Sequence, residues 1–153
     1  MTDRLTLDRF LPYRLVRASD LVSQRFAALY KARYGISRPE WRTFAILGEV
    51  DGVTATEIGR RSTMHKTKVS RAVAALEARG WLIRQIDEAD RRVEHLRLTP
   101  SGRKVYGELA TLAHAFQAEL AEDLGPAAEG LEAGLDAVEA RLMSGDGAAQ
   151  GDR

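Results

Sequence analysis

KVSRAVAALEARGWLIRQIDEADRRVEHLRLTPSG, residues 68–102, changes its hydrophobic period twice. Val69, Val73 and Leu76 recur at spacings of four and three, one face of a short helix over residues 66–79 that Gly80 stops. Trp81, Leu82, Ile83 and Ile86 then form a β-like run, and Val93, Leu96 and Leu98 form a second. Between them DEADRR has Ala89 as its only apolar side chain, so the pattern predicts a hairpin whose charged tip, longer than a two-residue turn, projects. Thr99 and Pro100 open the next helix.

Upstream, SRPEWRTFAILGEV reads as a helix with its entry written out. Ser37 caps the first turn, Glu40 reaches back as in a capping box, and Pro39 sits where its missing N–H costs no hydrogen bond. The same device recurs at Thr54 and Glu57, each cap being worth about 1 kcal/mol. Asp51-Gly52 makes the turn between these two helices. Three short helices in succession describe a helix-turn-helix unit. Further out, Leu7, Leu11, Leu15, Ala18, Val22, Phe26 and Leu29 line one face of a long first helix that Gly35 ends, with Pro12 as either its true start or a kink. On the C-terminal side, Leu109, Leu112, Phe116, Leu120 and Leu124 share a face up to the Gly125-Pro126 break, and Leu131, Leu135, Val138 and Leu142 mark a last helix.

The expected fold is mainly α (α+β): a winged helix-turn-helix with a two-stranded wing, over residues 37–100. An N-terminal dimerisation helix over 1–36 precedes it, C-terminal dimerisation helices over 101–143 follow, and a disordered tail over 144–153 lacks core-forming side chains.

Composition narrows the function. Hydrophobic residues make up 44% and charged residues 29% of 153, which suits one folded domain rather than a disordered chain. The N-terminus has charges where a secretory signal needs an apolar run, and no 18 apolar residues follow one another, so a soluble cytoplasmic protein without membrane partners is expected. With no cysteine, disulfides and thiolate metal sites are excluded. His65, His95 and His114 have no metal spacing, there is no phosphate-binding glycine loop, and no nucleophile stands beside a base. Neither an enzyme, a metal nor a cofactor is expected. The net charge of +1 hides an uneven distribution, because residues 38–105 carry fourteen cations against nine anions and residues 106–153 carry two against ten. A basic working face and an acidic end follow.

The basic face centres on RRSTMHKTKVSR, residues 60–71, with five lysines and arginines and no acid. Here the resemblance becomes specific: residues 68–102 resemble the MarR family of transcriptional regulators. In that family a helix ending in Leu-Glu-x-x-Gly leads into a wing whose tip bears Asp-Arg-Arg, followed by Leu-Thr-x-x-Gly at the next helix. This chain has Leu76, Glu77 and Gly80, then Asp90, Arg91 and Arg92, then Leu98, Thr99 and Gly102. One departure is Lys68, where the family has a small or hydroxyl residue before Val69.

Double-stranded DNA is the partner that the physics selects. A helix fits the major groove and reads base edges near its N-terminal end, which makes His65, Lys66, Thr67 and Lys68 the candidate readers. Ser70 and Arg71, one turn on, suit phosphates, with a guanine edge as a second role for Arg71, and Arg60 and Arg61 flank the same side. Arg91 and Arg92 on the wing suit a neighbouring minor groove, with Asp87 and Asp90 read as partners orienting them; the resemblance implies the pair Asp90 and Arg92. A winged helix used only for protein docking would present apolar faces where these cations stand. The wide stripes of the first and last helices need a second copy to cover them, and the resemblance implies a homodimer reading a pseudo-palindrome. It also implies a small phenolic or aromatic effector where dimer helices meet the winged helix, with Tyr13, Arg17, Trp41, Phe44, His114 and Phe116 as candidate wall residues. The resulting expectation is a dimeric transcriptional repressor.

Overall fold

The structure is a computed structural model that describes residues 4–144. A 3-10 turn at Leu7–Arg9 leads into α1 (Leu11–Tyr34), then α2 (Arg38–Glu49), α3 (Ala55–Ser62), α4 (Lys66–Ala78), β1 (Leu82–Ile86), β2 (Glu94–Leu98), α5 (Pro100–Leu124) and α6 (Ala127–Met143). Two compact units divide inside α5, one up to Ala113 and one from His114.

Local chemistry sets the element ends. Pro12 marks the start of α1 rather than a kink, in the first turn where its absent N–H has no partner to lose. Gly35 ends α1 at φ 64°. Ser37 closes a full capping box with Glu40 at the start of α2. Thr54 caps α3 through the Glu57 amide at 3.1 Å, but the expected return bond gives way to an ion pair: both Glu57 carboxylate oxygens accept from Arg60, at 2.9 and 2.7 Å. After α4, Gly80 adopts φ 73°, and the amides of Gly80 and Trp81 donate to the carbonyls of Glu77 (2.9 Å) and Leu76 (3.1 Å). This is a Schellman closure, and it takes the Trp81 amide that a strand would use. The strand therefore begins one residue later than the apolar run suggests.

The sheet pairs Leu82 with Leu98 through Ile86 with Glu94, antiparallel. Val53 adds a single bridge to Leu96, tying the hairpin to the segment before α3. The core of the first unit lies between the helix-turn-helix and this sheet: Phe44, Ile58, Val69, Val73, Leu76, Leu82, Leu96 and Leu109 are buried. Phe44 is fully enclosed, its ring 5.7 Å from Trp81 and 6.3 Å from Tyr106, so its truncation to alanine would cost about 3–5 kcal/mol. Gly102 explains the Thr-x-x-Gly pattern. Thr99 donates its hydroxyl to the Gly80 carbonyl (2.7 Å) and accepts from the Gly102 amide (3.0 Å), and a Cβ on Gly102 would overlap the Trp81 carbonyl.

Of the seven-residue apolar row on the first helix, Phe26 alone is buried within this chain; Leu11, Val22 and Leu29 are exposed. In the second unit, α6 has no buried residue, and Leu131, Leu135 and Leu142 stand exposed. Ser144, the first residue of the expected tail, still closes α6 through the Ala140 carbonyl, and the rest of that tail lies outside the described residues.

Candidate nucleic-acid interface

The helix-turn-helix corner turns on a residue that the sequence did not single out. Thr63 adopts φ 56°, a left-handed conformation that β-branched residues rarely take. Ser62 braces the corner, donating to the Ile58 carbonyl (2.6 Å) and accepting from the Met64 amide (3.4 Å). Buried Met64 then anchors the entry to α4.

Along α4, Val69, Ala72, Val73 and Leu76 face the core, which turns Lys66, Thr67, Lys68, Ser70 and Arg71 outward to solvent. His65 occupies the N-cap with extended backbone and an exposed side chain that does not bond its own helix. The first-turn amides of α4 thus keep their pull on anions. Between α3 and α4 runs a groove of about 490 Å³, floored by Met64, Val69 and Val73 and rimmed by Arg60, Lys66 and Arg84. Arg60 and Arg84 on this rim are ion-paired, so Lys66 is the rim charge open to a phosphate over the apolar floor.

Packing divides the basic run into two classes. Arg60 is held by Glu57, and Arg61 pairs with Glu49 at 3.1 Å. The Arg60 fork holds the Glu57 carboxyl below its ordinary pKa, which keeps that countercharge in place. Lys66, Lys68 and Arg71, with Arg91 and Arg92 on the wing, are exposed and form no ion pair among the described residues. On α4 and the wing tip these five are the cations without an acidic partner among the described residues.

The wing is organised by its own acids, in a way that corrects their expected role. Asp87 accepts from the amides of Ala89 (2.8 Å) and Asp90 (2.9 Å) through one oxygen and meets His95 Nε2 at 2.9 Å through the other. Asp90 accepts from the Arg92 amide at 3.0 Å. The Asp90–Arg92 pair therefore exists through the backbone and leaves the guanidinium free, while Asp87 shapes the loop rather than orienting an arginine side chain. The Asp90 amide, then His95 and the Ala89 amide, lower the Asp87 pKa below its ordinary value. At the base of the wing, Arg84 spans Glu77 of α4 (3.1 Å) and Glu94 of β2 (3.2 Å), bracing hairpin against helix.

The candidate effector residues stand in different surroundings. Arg17 is exposed and pairs with Asp8 at 3.4 Å, and Tyr13 is also exposed on α1. Trp41 packs in an aromatic cluster, 5.2 Å from Phe26 and 5.6 Å from Tyr30. Phe44 is core. In the second unit, His114 is exposed and Phe116 half-buried.

Helix-turn-helix, paired strands and a free cationic edge define a winged helix-turn-helix protein. Residues 34–93 match the model of the MarR family. The chain is 27% identical over 112 residues to the HTH-type transcriptional regulator TtmR of Methylorubrum extorquens (strain PA1), a match that spans 73% of this chain and 57% of that relative. Among solved structures, the MarR family transcriptional regulator SPO1453 of Silicibacter pomeroyi DSS-3 is similar, with 28% identity, a TM-score of 0.77, and 91% of this chain and 99% of that one covered. A MarR/EmrR family transcriptional regulator of Acinetobacter sp. ADP1 shares the fold, with a TM-score of 0.80 at 20% identity over 92% of this chain and 99% of that one. Over residues 34–93 and in its fold the chain is thus similar to MarR family regulators.

Proposed function

We propose that this protein is a cytoplasmic transcriptional repressor that binds double-stranded DNA as a homodimer on a pseudo-palindromic operator. The observation that carries the reading is the set of five exposed cations without a protein partner on α4 and the wing tip, Lys66, Lys68, Arg71, Arg91 and Arg92. In this reading His65 to Lys68 take base edges, Ser70 and Arg71 take phosphates, and Arg91 and Arg92 enter a minor groove. Residues 37–100 read, and the helices of 1–36 and 101–143 join the two copies. The uncovered row of α1 and the exposed leucines of α6 support that division of labour. Two recognition helices about 34 Å apart then meet successive major grooves. The names of the relatives support regulation of transcription. Release by a small aromatic ligand extends the same reading, with Tyr13 and Arg17 as the exposed candidates on the first unit.

The test is DNA enrichment from a random duplex pool by the purified protein, followed by titration against salt. A pseudo-palindrome should emerge. With six to ten phosphates met, affinity should fall roughly a thousandfold or more between 50 and 200 mM salt. A monomeric protein with no duplex affinity in dilute buffer overturns the proposal.

A further inference from the structure

The C-terminal end of α1 and the C-terminal end of α4 are 45 positions apart in sequence, yet one side chain joins them. Arg79 is the C-cap of α4. Its guanidinium donates from Nη1 to the Tyr34 carbonyl at 2.7 Å and from Nη2 to the Gly35 carbonyl at 3.0 Å. Those carbonyls close a helix whose last turn has oxygens without helical partners and the negative end of its dipole, so a cation with two parallel donors fits them. The same guanidinium lies 4.9 Å over the Trp81 ring, and Trp81 stands edge-on to Tyr34 (6.4 Å) and Phe44 (5.7 Å). The Tyr34 hydroxyl in turn donates to Glu108 of α5. Gly35 adopts φ 64°, a backbone conformation that disfavours a side chain, and a Cβ there would only touch Arg79 Nη2 at an ordinary 3.8 Å.

We infer that Arg79 is a positioning residue for DNA reading: it locks the recognition helix of each subunit to the end of α1 and so fixes the separation of the two recognition helices in the dimer. The inference rests on the dimeric DNA-binding reading above. Aromatic packing of Phe26 and Tyr30 on Trp41 seats α1 against α2, and Arg79 adds the direct link to α4. A planar fork engages two adjacent carbonyls at once, which a lysine ammonium on its flexible stem does not reproduce. Any tilt of α1 in the dimer is then passed to α4 through these bonds rather than through the hydrophobic core alone.

The experiment compares wild type, Arg79→Gln and Arg79→Lys on a panel of the enriched palindrome in which the half-site spacing is changed one base pair at a time. Wild type should prefer the natural spacing over its neighbours, and Arg79→Gln should lose that preference by on the order of tenfold, a usual size for coupling between sites. Arg79→Lys should fall between. Dimer mass and affinity for random duplex should stay at the wild-type level in both variants. In the protein alone, amide exchange in the last turn of α1 should accelerate in Arg79→Gln, which tests the joint even if that variant binds DNA poorly. A folded Arg79→Gln dimer with an unchanged spacing profile, or with unchanged exchange at the end of α1, overturns the inference. A wild type that binds no duplex overturns the functional reading itself, and the exchange result then stands apart from it.

Discussion

Lys66 and Arg60 lie six positions apart on the same basic run, yet packing gives them different tasks. Arg60 already has a carboxylate in a two-bonded grip, so moving it to a phosphate sacrifices one partner for another and gains little. Arg92 has no such alternative, because Asp90 holds its amide and leaves its charge free. Arg92→Ala should therefore weaken operator binding by about 1–3 kcal/mol, and Arg60→Ala by clearly less, in gel-shift titrations at fixed salt. Equal losses would show that the Glu57 pairing opens on DNA. Asp87 supplies a pH test with a definite sign. Its pKa is lowered in the folded protein, so its stabilisation of the wing tip is complete above the unfolded value, about 4, and disappears as pH falls through the lower folded value. Protection of the Ala89 and Asp90 amides should fall with acid in wild type. In Asp87→Asn it should be smaller and flat over that range, and a parallel fall in both proteins would assign the effect elsewhere.

At the scale of elements, the corner between α3 and α4 and the brace at Arg84 fix what the recognition helix and wing present. Thr63 holds the corner in a left-handed conformation at a cost of order 1–2 kcal/mol. Asparagine tolerates that region, so Thr63→Asn should stabilise the protein by about 1 kcal/mol in thermal unfolding, with DNA affinity retained. A destabilised variant would mean that the threonine side chain contributes more than its backbone costs. The caps were legible because each depends on residues three or four positions apart: Ser37 with Glu40, Thr54 with the Glu57 amide, Gly80 after Leu76. The fate of the Glu57 carboxylate was not, since Arg60 and the Thr54 amide compete for it through space. Val53 escaped notice for a related reason: a one-residue bridge has no period.

For the whole molecule, the uneven charge and the uncovered apolar rows point in one direction. Leu29 lies on an exposed face of α1, and burial of such leucines against a second copy is worth roughly 2 kcal/mol each. Leu29→Asp should shift the protein from dimer toward monomer in sedimentation and abolish operator binding, while leaving the helix-turn-helix core intact by near-UV circular dichroism. Retention of the dimer mass would remove this face from the interface.

Periodicity, caps and the spacing of Leu-Glu-x-x-Gly, Asp-Arg-Arg and Thr-x-x-Gly determined by themselves the element order, the wing and the resemblance to the MarR family, because each arises from neighbours along the chain. Tertiary structure alone decided which cations are free, how Asp87 and Asp90 spend their oxygens, that Phe44 is core, and that Arg79 joins α1 to α4. Apart from the apolar packing of Phe44, those outcomes depend on competition among charged and polar groups from 2 to 45 positions apart. Only packing sets the distances over which such groups choose their partners.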